Sequence, residues 1–157
     1  MQLTSTAFVA GAEIPAAYTS DGNDVSPELS WNQAPAGTKS FVLIMHDPDA
    51  PRPGGFTHWV VYNIPPQTTQ LAENVPKQEQ ITGLGLQGRN DAGKIGYMGP
   101  APPSGVHRYF LRLFALDSTL DLGPGATHTE VSAAMKGHIL AQAELMGTYE
   151  KKSKRVA

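Results

Sequence analysis

Apolar and polar positions along the chain change their period several times, and each change predicts an element. Phe41-Val42-Leu43-Ile44-Met45 is a continuous apolar run bounded by Gly37-Thr38 and Asp47-Pro48. A run this short predicts a strand covered on both faces. His58 to Ile64 is rich in aromatic and β-branched residues and stops at Pro65-Pro66, a second strand. Tyr109 to Leu116 alternates. Tyr109, Leu111, Leu113 and Ala115 share one face; Phe110, Arg112, Phe114 and Leu116 share the other. Leu29-Ser30-Trp31 and Thr4 to Val9 predict shorter strands. One helix is expected, capped by Thr129, with Glu130 in its first turn and Val131, Ala134 and Met135 on one side. Gly137 is its expected stop. Ile139 to Tyr149 carries two signals. Its Ala, Gln, Glu, Leu and Met favour helix, but odd and even positions alternate in character, and the alternation predicts a strand.

Between these elements lie three long Gly/Pro-containing loops, Asp47 to Thr57, Gly83 to His107 and Asp117 to His128. Loops longer than about 12–15 residues usually carry function or disorder. Gly 16 plus Pro 13 in 157 residues exceeds the usual share of roughly 12%. Both residues break helices, so a helical bundle is excluded and a loop-rich β protein is favoured. The length suits one domain, expected over residues 1–150, followed by a basic tail, 151–157, which holds four of the twelve cations.

The net charge of −2 gives no broad basic face, so nucleic acid is not an expected partner. No apolar run approaches the roughly 20 residues a membrane-spanning helix needs. The first ten residues contain no Lys or Arg, which argues against a signal peptide. Cysteine is absent, excluding disulfides, thiolate metal sites and a cysteine nucleophile. A reducing, cytoplasmic location is expected.

Several motifs lack the context that would give them meaning. Gly83 to Gly88 spells G-x-G-x-x-G, but a turn-forming Arg-Asn-Asp-Ala-Gly follows where a dinucleotide site needs a helix. Asp21-Gly22-Asn23-Asp24 has its glycine misplaced for a calcium loop. His128-Thr129-Glu130 matches half of a zinc-deaminase signature whose other half requires cysteine. His46 could line a site, but alone at a strand end it reads more readily as a surface residue.

Two segments concentrate ionisable groups beside rigid backbone. One is His46-Asp47-Pro48-Asp49-Ala50-Pro51 with Thr57-His58-Trp59; the other runs from Gly96 to Tyr109. A rigid rim with a few convergent polar groups is how small-ligand pockets are built. If Asp47 lies near His58 or His107 it favours the imidazolium and raises that pKa. A protonated His, Arg108 and backbone amides could then hold a phosphate, with Tyr109 donating its hydroxyl. The same groups could equally form a structural network closing the end of a barrel.

These segments resemble the phosphatidylethanolamine-binding, or Raf kinase inhibitor-like, family, and are most similar to its compact bacterial and archaeal branch. Asp47 to Pro51 with His58-Trp59 matches D-P-D-A-P followed by His and an aromatic. Gly96 to Tyr109 matches G-Y-x-G-P-x-P-P-x-G-x-H-R-Y. Ser26 to Trp31, Asn90-Asp91 and Ala143 to Tyr149 also resemble family segments. The resemblance implies a mainly β fold of two antiparallel sheets, Greek-key in connection, with a few short peripheral helices. It implies one small pocket for phosphate, acetate or a phosphoryl headgroup. By motif, Asp47, His58, His107 and Tyr109 would form it, with Gly99, Pro102 and Pro103 as backbone wall. Asp49, Tyr97 and Arg108 would support it, Asp49 and Arg108 as a pair. A cis bond before Pro48 would fit the same pattern.

The chain departs from animal members in a shorter loop between Asp49 and His58, in Ala101, and in ending soon after Tyr149. A more open pocket, or one covered by a second subunit in a homodimer, is therefore expected. The resulting reading is a non-catalytic binding protein for a small anion or phosphoryl headgroup, with no cofactor and no metal. Two alternatives stand beside it. One is a regulator that binds a kinase or protease. The other is an Asp/His hydrolase or lyase, for which Ser104 is the candidate nucleophile. Two carboxylates and two imidazoles could hold a divalent metal, but no H-x-H or H-x-x-x-H spacing pre-forms a chelate.

Overall fold

The computed structural model describes residues 1–152, and the remaining positions of the basic tail lie outside the described residues. Nine strands and one α-helix follow in chain order: β1 (Gln2–Thr4), β2 (Leu29–Asn32), β3 (Ser40–Asp47), β4 (Phe56–Ile64), β5 (Gln70–Leu71), β6 (Gln80–Ile81), β7 (Gly85–Gln87), β8 (Val106–Leu116), α1 (His128–Met135) and β9 (Ile139–Glu150). A single 3-10 turn, Ala16–Tyr18, precedes β2. The fold is mainly β, with two antiparallel sheets. The smaller is ordered β1-β2-β5 and the larger β6-β7-β4-β3-β8-β9.

Alternation along the larger sheet builds two cores. Phe41, Leu43, Met45, Trp59, Val61, Tyr109, Leu111, Leu113 and Ala115 face the smaller sheet, where Leu3, Leu29, Trp31 and Leu71 meet them. Val42, Ile44, Val60 and Tyr62 face the other way, under Leu116, Leu120, Val131 and Met135. β3 is therefore covered on both faces, which is why Phe41 to Met45 is apolar at every position.

Ile139 to Glu150 is a strand paired along its whole length with β8. Its buried Leu145, Gly147 and Tyr149 show that the period, not the propensity, carried the information. Two boundaries differ from expectation. The N-terminal strand is Gln2–Thr4 rather than Thr4 to Val9. Beyond it, Ser5 Oγ donates to Glu28 O and Glu28 accepts from the Thr6 amide, bending the chain away from β2. The helix is capped by Thr127 rather than Thr129: Thr127 Oγ1 accepts from Glu130 N while Glu130 reaches back to Thr127 N, a capping box. G-x-G-x-x-G falls on the turn joining β6 to β7 and on β7 itself. No helix among the described residues is long and apolar enough to cross a membrane.

Candidate functional site

The ends of β3, β4 and β8 meet at one edge of the two-sheet core. Strand alternation puts Asp47 on the same side of the sheet as Met45, and His107 and Tyr109 on the same side as Leu111. His58 would face the opposite side if β4 were regular. It does not, because the β3–β4 register jumps from Met45↔Trp59 to His46↔Thr57, leaving His58 as the extra residue of a bulge. A bulge re-aims a side chain. Here it turns the His58 ring onto Tyr109, edge to face at 5.3 Å between centroids, while Thr57 stays on the far side.

The result is two histidine clusters on opposite faces of one sheet. On the first, buried Asp47 accepts from His107 Nδ1 at 2.6 Å and from the Asp49 amide at 2.7 Å. His58 Nδ1 donates to the Met98 carbonyl at 2.6 Å. That carbonyl can only accept, so the neutral His58 ring carries its proton on Nδ1 and presents a lone pair at Nε2. Burial lowers the His58 pKa, and this outweighs the opposing effects of the Met98 carbonyl and the Asp47 charge. Asp47 does act on this ring in the expected direction, toward a higher pKa, but burial is the larger effect. Burial, then the charge and the closeness of the Asp47 carboxylate, push the Tyr109 phenol well above its ordinary range. Its hydroxyl is buried and has no hydrogen-bond partner.

These groups open into a cavity of about 180 Å³, lined also by Ala50, Pro51, Arg52, Phe56, Met98, Ala101, Pro102 and Pro103. Most of the lining is apolar; the ionisable groups cluster on one wall. Asp49 lies outside it. The Arg108 guanidinium and amide grip the Asp49 carboxylate, each contact at 2.9 Å, and hold its pKa down to about 2. Tyr97 is buried against Trp59 and donates to the Tyr18 carbonyl, so it supports the wall from behind. Gly99 does not line the cavity. Its amide donates to Asp24 Oδ1 at 2.6 Å, and a Cβ there would sit 2.4 Å from the Tyr18 carbonyl oxygen. The glycine serves close packing, not ligand contact. The bond before Pro48 is trans; the His107 and Asp49 hydrogen bonds orient Asp47 without an isomer. Ser104 lies outside the cavity and lines a separate depression with Asp21 and Lys151.

Arg52, Phe56 and Met98 were not anticipated as pocket residues. Arg52 sits 5.4 Å above the Phe56 ring. The available signal was the single cation within the Pro/Gly loop between the two matched motif segments.

The second cluster corrects the reading of His46 as a lone surface residue. His46 Nε2 donates to Gly54 O at 2.8 Å, and Thr57 Oγ1 lies 3.0 Å from His46 Nδ1 and 2.8 Å from His128 Nδ1. With both rings neutral, Thr57 donates to His46 and accepts from His128. This chain anchors the loop that carries Arg52. Gly55 closes that loop at φ +78°, and a Cβ there would lie 2.3 Å from the Asp47 carbonyl oxygen. Among the described residues, no three His, Asp or Glu side chains converge to hold a metal ion.

A family model for phosphatidylethanolamine-binding protein matches residues 4–150. A UPF0098 protein of Methanothermobacter thermautotrophicus is 52% identical over 151 residues, 96% of this chain and 99% of that protein. One from Aquifex aeolicus is 53% identical over 154 residues, 96% and 89% of the two chains. Among solved structures, a protein of Chlamydia trachomatis described as a phosphatidylethanolamine-binding protein homologue superposes with a TM-score of 0.88 at 46% identity, covering 96% of this chain and 97% of that one. YbcL of Escherichia coli, described as a member of the mammalian family, gives 0.89 at 33% identity, covering 96% and 98%. The chain belongs to the phosphatidylethanolamine-binding protein family.

Proposed function

We propose that the protein binds a small anion, best a singly protonated phosphoryl group, in the pocket walled by Asp47, His58, His107 and Tyr109, and performs no bond cleavage there. The observation that carries this reading is the buried Tyr109 hydroxyl with no partner. An unpaired buried hydroxyl costs about 1–3 kcal/mol, and a bound acceptor oxygen removes that cost. His58 and His107 each commit Nδ1 to the protein, and no protein group among the described residues bonds either Nε2.

The donor and acceptor pattern selects the ligand. Tyr109 donates, and neutral His58 accepts at Nε2. A phosphomonoester monoanion offers both P–O⁻ and P–OH, whereas a dianion would meet the Asp47 carboxylate with no proton to share. The second ionisation of such esters falls near about pH 6, so binding strengthens as pH falls through that range. The apolar remainder of the cavity suits the alkyl portion of a headgroup. We assign the protein to the cytoplasm on its lack of cysteine.

Histidine ring signals followed by NMR test the reading. Phosphate and phosphorylethanolamine are titrated at about pH 5.5 and about pH 8, bracketing the ordinary His pKa of roughly 6.5. Saturable shifts at His58 and His107 are expected, stronger at the lower pH, and lost in His58→Ala and His107→Ala. Unmoved ring signals with both ligands would overturn the proposal and favour a protein partner. Turnover of phosphorylethanolamine to free phosphate would overturn its non-catalytic part.

A further inference from the structure

Arginine presents its donors in a planar fork that fits two oxygens of a carboxylate or phosphate at once. Among the described residues, Arg89 commits this fork to the Gly93 carbonyl, Arg108 to Asp49 and Arg112 to Glu144. Arg52 differs. Its guanidinium makes no hydrogen bond or ion pair with any described residue and rests only on the Phe56 ring, 5.4 Å from its centroid. The carboxylates around its loop are already engaged. Asp47 accepts from His107 and from the Asp49 amide, and Asp49 is held by Arg108. Asp91, which shares the opposite-face depression with Arg52, accepts from the Thr57 amide at 2.8 Å.

The backbone fixes where this free cation stands. Pro51 and Pro53 flank it and lock φ on either side. The Arg52 amide donates to the Ala50 carbonyl at 2.7 Å, and the Gly55 amide donates to the Arg52 carbonyl at 3.1 Å. His46 ties down the Gly54 carbonyl at the end of the turn. Arg52 is exposed and lines the cavity, so it stands at the mouth, whereas Asp47, His58, His107 and Tyr109 are buried. Phe56 bridges the two regions, its centroid 4.8 Å from that of His58. Apart from the histidines, Asp47 and Arg52 are the charged side chains that line the cavity. It is therefore negative at its buried wall and positive at its mouth.

A phosphoryl group seated on Tyr109 and His58 fills the buried wall and leaves the Arg52 fork empty. We propose that Arg52 binds a second anionic group of the ligand, so that the pocket prefers phosphoryl compounds carrying a carboxylate on a short carbon chain over those carrying only an amine. This rests on the assignment of the phosphoryl group to the buried wall and adds what lies at the other end. Asp47 repels any added negative charge. A preference for the more negative of two ligands thus has its source at Arg52 among the side chains that line the cavity.

O-phosphoserine and phosphorylethanolamine differ by one carboxylate, and the ratio of their affinities isolates it. The ratio is measured by calorimetric titration near about pH 6, where such esters are partly monoanionic. It is measured again with dihexanoyl phospholipids bearing the same two headgroups. O-phosphoserine is expected to bind about fivefold tighter, the effect of a charge-assisted pair at an exposed site, and added salt should shrink the difference. The ratio should fall to about one in Arg52→Gln and be intermediate in Arg52→Lys, which keeps the charge without the fork. An Arg52-dependent ratio confined to the lipids would uphold the role of Arg52 and assign the ligand to a lipid headgroup; one seen with the free esters assigns it to soluble monoesters, whose P–OH suits His58. A ratio near one in both pairs while the ligands still bind, or a ratio that survives in Arg52→Gln, would overturn the role of Arg52 alone. Binding of none of the four would overturn the phosphoryl reading together with it.

Discussion

Tyr109 separates what the pocket does for the fold from what it does for a ligand. Its ring is fully buried and packed between His58 and His107, yet its hydroxyl bonds nothing. Tyr109→Phe keeps the ring and removes the unpaired group. It is expected to raise unfolding stability by about 1 kcal/mol and to weaken phosphoryl binding about tenfold, the equivalent of about 1.4 kcal/mol. Urea unfolding and calorimetric titration of the same variant check both directions; a loss of stability would mean that the hydroxyl is bonded in the free protein. Asp47, His58, His107 and Tyr109 could be named from motif spacing, because fixed residue types at fixed intervals survive in the sequence. The roles of Gly99 and His46 were not legible. Each depends on a neighbour far along the chain, Tyr18 and Asp24 for Gly99, Thr57 and His128 for His46, and no local pattern records such contacts.

At the scale of elements, α1 shows how a two-residue error in a helix start arises. Thr127 and Thr129 both precede the apolar positions, and either can cap. The capping box decides, since only Thr127 has Glu130 three residues on. Thr127→Ala is expected to cost about 1 kcal/mol, measured by urea unfolding, whereas Thr129→Ala should cost little. Strands β3, β4, β8 and β9 were legible because each carries a period of two or a closed apolar run. The bulge at His58 was not, since one extra residue leaves composition unchanged and alters only the phase relative to a neighbouring strand. That phase shift is what assigns His58 to one face of the sheet and Thr57 to the other.

For the whole molecule, the two histidine clusters tie stability to pH. Burial lowers the His58 pKa; burial and then the nearby His46 lower that of His128. Both rings are easier to protonate in the unfolded chain than in the folded one. Their contribution is therefore fully present above the unfolded value of roughly 6.5 and is lost as pH falls below it toward the depressed folded values. Urea midpoints are expected to fall between about pH 7 and about pH 5. The fall should be shallower in His58→Gln and in His128→Gln. A midpoint flat across that interval in the unmodified protein would contradict the burial of these rings.

The register that seats the pocket also sets when it can exist. Asp47, His58, Met98, His107 and Tyr109 come from segments far apart in the chain, and the two β8 residues among them, His107 and Tyr109, are held by Tyr149 and Gly147 on the last strand. A chain still being synthesised has both matched motif segments long before it has a pocket, because β8 lacks its partner until β9 has emerged. Ligand capture is thus a late event in the life of each molecule. A phosphoryl compound in the cell meets either a finished protein or one that cannot yet hold it.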